Sequence, residues 1–578
     1  MTLNLNHRTP TALSAASNPV LDADWSDPDV IRAGDRYVMV ASSFSRVPGL
    51  PVLVSNDLVT WTLASHALER LSPASHFDLP RHGQGVWAPA IRFHAGEFHI
   101  FYPDPDRGIF VVRSPSPFGT WSEPTLVLAG LGIIDPCPFW DDDGRVYLVV
   151  AWAFSRSGVR NRLSIVELDS TATVPISPLR TLIDGDAVEG CSTLEGPKIH
   201  RRGDSYLVFA PAGGVATGWQ LVFRSFSLDG PWEVRTVLEQ GDTAINGPHQ
   251  GSWIDGPHGD DRFIHFQDTG AYGRVVHLQP LTWSDGGWPE IGAQDDAGRG
   301  VPVARVEPLV LSVPASSSAA VAAAGTPPRL GSALDATAWS VAGVGRDDTG
   351  VTSRLAPQWH WQANPGDDWA TFPDDGTLRL ATVPGDVGNL RALGQVLARR
   401  LTMSTTRVTT TVSVRSGIDG ARAGLVILGV HYAWIGLEVS GGIHRLVCRA
   451  FLGEGDEIDL IEAVPISVDE LSAVTVGFDI SDGVATAFWA VGGESGATSG
   501  GSSDGSSDGS SAGSSDSSSD SASGRAEHSF TIREGTWVGA ETGVFAAAPV
   551  GSSTTGDDDV AVFGEFLIGV HSASQETS

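Results

Sequence analysis

The chain has 578 residues, 41% of them hydrophobic, and a formal net charge of −31 at pH 7. That length exceeds what one core serves, so two or more domains are expected. The acidic surface repels phosphate backbones and anionic lipid, which excludes nucleic acid and membranes as natural partners; a neutral ligand such as a sugar meets no such penalty.

The first twenty residues, "MTLNLNHRTPTALSAASNPV", hold no apolar leader, and no run of about 18 apolar residues follows, so a soluble, cytoplasmic protein is expected. From residue 27 one phrase recurs five times: "DPDVIRAGDRYVMVAS", "WAPAIRFHAGEFHIFYP", "DPCPFWDDDGRVYLVVA", "EGPKIHRRGDSYLVFAP" and "HQGSWIDGPHGDDRFIHFQD". Each is a short strand, a turn built on Gly or Asp, and a second alternating strand; a further pair of strand signals completes each unit. The units start at 27, 87, 135, 195 and 249. Four-strand repeats of this length read as propeller blades, giving a five-bladed β-propeller over 18–305. Residues 306–356, with "SVPASSSAAVAAAGTPPRLGS", read as a linker. From 357 to 573 short strands return and predict a β-sandwich, so the fold class is all-β. Within it, 494–527 is a Gly/Ser/Asp repeat that cannot bury apolar area and is expected to be a disordered loop between sandwich strands. The segments "VATAFWAV" and "GTWVGAETGVFA" on either side of it read as neighbouring strands. The three cysteines, Cys137, Cys191 and Cys448, are too scattered for a disulfide framework or a zinc site and read as free thiols in the core.

In a propeller the innermost strands line the axis and start at one mouth. The repeat therefore brings Asp27, Asp135 and Glu195, from blades one, three and four, into one pocket, with Trp87 and His249 at the matching places on blades two and five. Converging carboxyls push one another's pKa values apart. That arrangement suits glycoside hydrolysis, where one protonated carboxyl donates to the leaving oxygen and an ionised one activates water or attacks the sugar. A lone Asp-Pro is more often a turn opener than a catalyst, but two at equivalent repeat positions with a glutamate at a third are not explained that way. Asp29 reads as a turn residue. "DDDG" at 141–144 reads as a solvated hairpin turn with too few oxygen ligands for calcium.

These motifs resemble glycoside hydrolase family 43, the five-bladed β-xylosidases and α-L-arabinofuranosidases with a C-terminal sandwich. "SDPDVIRAGDRYVMVASSF", "GVWAPAIRFH", "IDPCPFWDDDGRVYLV", "EGPKI", "APAGGVATGWQ", "NGPHQGSW" and "HFQDTGAYGRVVHLQP" carry the similarity. The resemblance implies that Asp27 is the general base, Asp135 tunes and orients the acid, and Glu195 is the general acid. It implies that His249 and Arg274 hold the terminal sugar or order the pocket, and that Phe44 and Trp87 form its aromatic walls. It further implies inversion, with carboxyls at a separation of about 6.5–9.5 Å, a concanavalin A-like sandwich, and in some relatives a sandwich loop over the mouth. No cofactor is required; a structural cation such as calcium on the axis is compatible with the pattern. The expected substrate is a xylo- or arabino-oligosaccharide cut from its non-reducing end, with xylose release first and arabinofuranose release as the alternative. A catalytically silent sugar-binding propeller, a fructan-acting hydrolase and a glycoside phosphorylase fit less well: the three carboxyls are all present, the first follows serine, and clustered basic residues for phosphate are lacking. The sequence carries no signal for oligomeric state.

Overall fold

Each repeat folds as its alternation dictates. The apolar side of every strand faces the adjoining blade, and Gly or Asp takes the tight turn between the first two strands. The computed structural model describes residues 15–311, 338–347, 350–467, 474–492, 522–554 and 559–570. Five four-stranded antiparallel sheets follow one another along the chain, each in simple sequential order. Their innermost strands are Asp29–Ala33, Ala90–His94, Ile133–Trp140, Lys198–Arg202 and His249–Ile254. The ring closes where the N-terminal segment meets blade five: Leu21 bridges Val276, and Ala16–Ser17 pairs with Arg305–Val306.

Buried polar groups join the inner strands. Asp29 accepts from the Ile91 N–H and Arg92 of blade two, both at 2.7 Å, and from the Ser252 hydroxyl of blade five at 3.0 Å. It opens a strand and is fully buried, so it is an inter-blade ion centre and not the turn residue expected. Burial opposes its ionisation, but Arg92 and Lys198 hold its carboxyl below the ordinary range. The "DDDG" turn differs likewise: Asp141 is buried, accepting from Tyr206 Oη at 2.6 Å and Arg201 at 3.0 Å of the next blade. A hairpin turn facing a neighbouring blade is not solvated on both sides.

The second half forms two nine-stranded sheets among the described residues, packed face to face. Their core holds Trp359, Leu397, Ile427, Ile435, Phe478 and Phe563. The expected linker is partly structured: Ser340–Asp347 and Gly350–Leu355 form a hairpin, and Trp339 stacks on Trp359 at 4.7 Å. A buried indole there secures the segment to the sandwich. Most of the expected disordered loop lies outside the described residues. Its last part, Ala522–Arg525, is an edge strand on Val484–Val491. No helix among the described residues is long and apolar enough to cross a membrane.

The sandwich packs directly on the propeller. Val47 and Trp361 exchange backbone hydrogen bonds, and Asn364 holds Leu71 through both its N–H and its carbonyl.

Candidate active site

The pocket is built where the inner strands begin. Asp27 lies two residues before its strand, Asp135 within its own, and Glu195 three residues before Lys198–Arg202. Asp27 and Asp135 adopt left-handed backbone conformations, at φ 57° and 52°. Asp135 also sits in a bulge, where the pairing register shifts between Ile134 and Cys137. Bulges and left-handed residues re-aim a side chain at a cost of about 1–3 kcal/mol, which surrounding structure must offset.

The three carboxyls are held differently. Asp27 accepts from the Ser42 hydroxyl at 2.5 Å and from Arg274 Nη1 at 3.3 Å. Asp135 accepts from the Gly196 N–H at 2.7 Å and from Gln250 at 3.2 Å. Gly196, next to Glu195, has φ +57°, and a Cβ there would meet Gln250 Oε1 at 2.3 Å. The hydrogen bond from Gly196 therefore ties Asp135 to the turn carrying Glu195. His249 Nε2 lies 3.3 Å from Glu195 Oε1. Burial, then the charges of Asp135 and Asp27, push the Glu195 carboxyl well above the ordinary carboxylate range, with Arg274 opposing. Burial also raises Asp135 against the Gly196 hydrogen bond, and Asp27 adds to the rise. His249 is fully buried; burial and the nearby Arg274 push it down to about 3, so its imidazole is neutral. A neutral imidazole beside Glu195 adds no positive charge that would favour its ionisation.

The expected walls come together around Trp87. Phe44 lies 6.3 Å from it, on the connection after Arg36–Val40. The Arg156 guanidinium sits 5.3 Å from the Trp87 ring centre. Arg274 lies over Phe266 as well as against Asp27.

Trp537 is a residue that sequence reasoning missed. The segment "GTWVGA" is a turn before the strand Glu541–Pro549, not a strand itself. It carries Trp537 from the sandwich to within 6.5 Å of Trp87 and 5.9 Å of Arg274, with 53% of the residue exposed. Gly83 lets it approach: a Cβ there would meet Thr536 at 2.8 Å and Trp537 at 3.0 Å. A pocket wall supplied by the other domain leaves no mark in the blade repeat. Beside this wall a small open cleft lies between the domains, lined by Phe44, Arg46, His82, Arg391 and Glu541. None of Asp27, Asp135 and Glu195 lines it. Among the described residues no group of three or more His, Cys, Asp or Glu side chains is placed to hold a metal ion.

A propeller with carboxyls at its axis, one of them held protonated and walled by aromatic rings, defines a glycosidase acting on O-glycosyl bonds. Residues 16–289 match the glycosyl hydrolases family 43 and 351–566 match the beta xylosidase C-terminal concanavalin A-like domain. A putative beta-xylosidase of Xylanibacter ruminicola is 35% identical over 72% of each chain. A non-reducing end alpha-L-arabinofuranosidase of Bacteroides ovatus is 30% identical over 48% of this chain and 53% of its own length. The solved xylan beta-1,4-xylosidase from Bacillus halodurans has the same fold, with a TM-score of 0.75 at 19% identity, covering 96% of this chain and 99% of its own. The chain belongs to glycosyl hydrolase family 43.

Proposed function

We propose that the protein is an exo-acting, inverting glycosidase that releases D-xylose from the non-reducing ends of β-1,4-xylo-oligosaccharides. Glu195 protonates the glycosidic oxygen, Asp27 draws a proton from water on the opposite face, and Asp135 keeps Glu195 protonated and oriented. Phe44, Trp87 and Trp537 pack on the C–H faces of the sugar, while His249 and Arg274 hold its hydroxyls. The observation that carries this reading is the contrast within the cluster: Glu195 is raised by burial and by two neighbouring carboxyls, whereas Asp27 accepts from Ser42 and Arg274. The relative named as a putative beta-xylosidase, at 35% identity, supports the substrate. The two carboxyls and a water complete this chemistry without a cofactor; full activity after dialysis against a chelator is expected, and a loss restored by calcium alone would assign a structural cation. Three free cysteines suit a reducing, cytoplasmic location. Cell fractionation checks this.

The second reading is α-L-arabinofuranosidase activity, favoured by the Bacteroides ovatus relative. The test is hydrolysis of xylobiose and of an α-L-arabinofuranoside, with the product followed by proton NMR. An early excess of α-D-xylose over its equilibrium share during xylobiose hydrolysis supports the first reading with inversion; an early excess of β-D-xylose refutes inversion. Arabinose release without xylose release selects the second. Sugar binding without turnover of either leaves a silent binding propeller.

A further inference from the structure

Behind the Phe44 wall, a buried charge network crosses from the sandwich into the propeller and ends against Asp27. Glu541 begins the strand that follows the Trp537 turn. Its carboxylate accepts from His360 Nε2 at 2.8 Å and from Arg46 Nε. Arg46, two residues after Phe44, donates through Nη1 to Asp24 Oδ2 at 2.9 Å. Asp24 Oδ1 accepts from the Ser26 hydroxyl at 2.8 Å and from the Arg274 backbone N–H at 3.1 Å. Arg400 of the sandwich donates through Nε to the Asp24 carbonyl at 2.6 Å. The side chains of Glu541, Arg46 and Asp24 are all at least nine-tenths buried.

Apolar packing would dock two domains without desolvating these charges, and buried ion pairs add little net stability. Their value here lies in where they end. Asp24 grips the residue directly before Asp27 and, separately, the backbone of the arginine that touches Asp27. The Trp25 N–H donates to the Arg274 carbonyl at 2.9 Å, so the two segments are joined on both sides of Asp24. Among the described residues, the Asp24 side chain is hydrogen-bonded from outside this join by the Arg46 guanidinium, which links it to Glu541, and the Arg400 charge also acts on it.

We propose that Glu541, Arg46 and Asp24 are positioning residues for the reaction: the sandwich domain, through Glu541, holds the Arg274–Asp27 pair in its working placement. The proposal rests on reading Asp27 as the general base. A domain with no carboxyl in the chemistry then sets the geometry of the base from about five hundred residues away along the chain.

The test is a double-mutant cycle on the full chain between Glu541→Ala and Arg274→Ala, reading kcat and KM on xylobiose and the α-L-arabinofuranoside, with melting temperature and D-xylose affinity measured alongside. Glu541→Ala alone should lower kcat about ten-fold with KM changed less than about two-fold. Glu541→Gln, which still accepts from Arg46 and His360, should recover most of the loss. In the Arg274→Ala background, Glu541→Ala should cost less than about a further two-fold, because the Arg274–Asp27 side-chain contact that it positions is gone, although the backbone hydrogen bond to Asp24 remains. A purely structural role would lower the melting temperature and give equal losses in both backgrounds; that result, or an unchanged kcat, overturns the proposal. Should Glu541→Ala fail to fold, Asp24→Asn runs the same cycle with the same criterion. A wild type inert on both glycosides overturns the general-base reading, and this proposal with it; independent losses in an active protein overturn this proposal alone.

Discussion

At the scale of single residues, burial and neighbouring carboxyls favour the protonated form of Glu195, as the proposed acid requires. Burial is the main cause of the raised Glu195 value and the Asp135 charge the next. A raised acid stays protonated until pH climbs through its folded value, so the basic limb of the kcat/KM profile should lie well above the ordinary carboxylate range. Asp135→Asn removes one negative neighbour but not the burial. Its basic limb should move to lower pH without returning to the ordinary range; an unmoved limb would show that Asp135 does not tune the acid. The same shift bears on stability. The folded value of Glu195 lies above its unfolded one, so its contribution is full below the unfolded value and is lost as pH rises through the folded one. Glu195→Gln has no proton to lose. It should lower kcat by about three orders of magnitude, yet melt higher than wild type by about 1–3 °C near pH 8. Near pH 4 the gap should close, and scanning calorimetry at the two pH values checks it.

At the scale of elements, two turns aim the site, and they differ in how legible they were. The turn before Lys198–Arg202 belongs to the blade repeat, so Glu195 could be placed from sequence by its equivalence to Asp27 and Asp135. Gly196→Ala should show how tightly that turn is set: its φ of +57° strains any Cβ, and the Gln250 amide, 2.3 Å from where the Cβ would lie, would have to move. A loss of about 1 kcal/mol or more in stability is expected from the backbone conformation, with kcat falling further than KM rises. The turn carrying Trp537 has no repeat to announce it. "GTWVGA" offers the same alternation as the strands around it, and only the packing of one domain on the other turns it toward Trp87. Asp29 was misread for a related reason: Asp-Pro-Asp favours a turn locally, while Arg92 and Ser252 from two other blades make it a strand residue. Trp537→Ala should raise KM on xylobiose about ten-fold while leaving the melting temperature near wild type, since half of the residue is exposed. An unchanged KM would place the sugar away from the sandwich.

At the scale of the whole molecule, the sequence divides where the structure does not. Composition separates a repeat-bearing half from a strand-rich half, and 306–356 reads as the joint between them. Linkers of that kind usually leave domains free to move and to unfold separately. Here the contacts that cross the joint include backbone hydrogen bonds between Val47 and Trp361 and the buried pairing of Arg46 with Glu541. None is a local feature, so none could be read from the order of residues. Their consequence is cooperative unfolding: opening the interface would expose unpaired charges and backbone groups on both sides before either core had melted, which penalises the half-open state. Calorimetry on the wild type should show one transition spanning both domains. Asn364 is the place to weaken this coupling without touching the pocket, because its amide replaces a strand partner for Leu71, accepting at 2.8 Å and donating at 2.9 Å. Asn364→Ala leaves a buried N–H and C=O unmet, at a cost of about 2 kcal/mol. Its transition should broaden or split into two, with kcat at ambient temperature little changed. Two resolved transitions in the wild type would instead show that the domains unfold independently despite the charges buried between them.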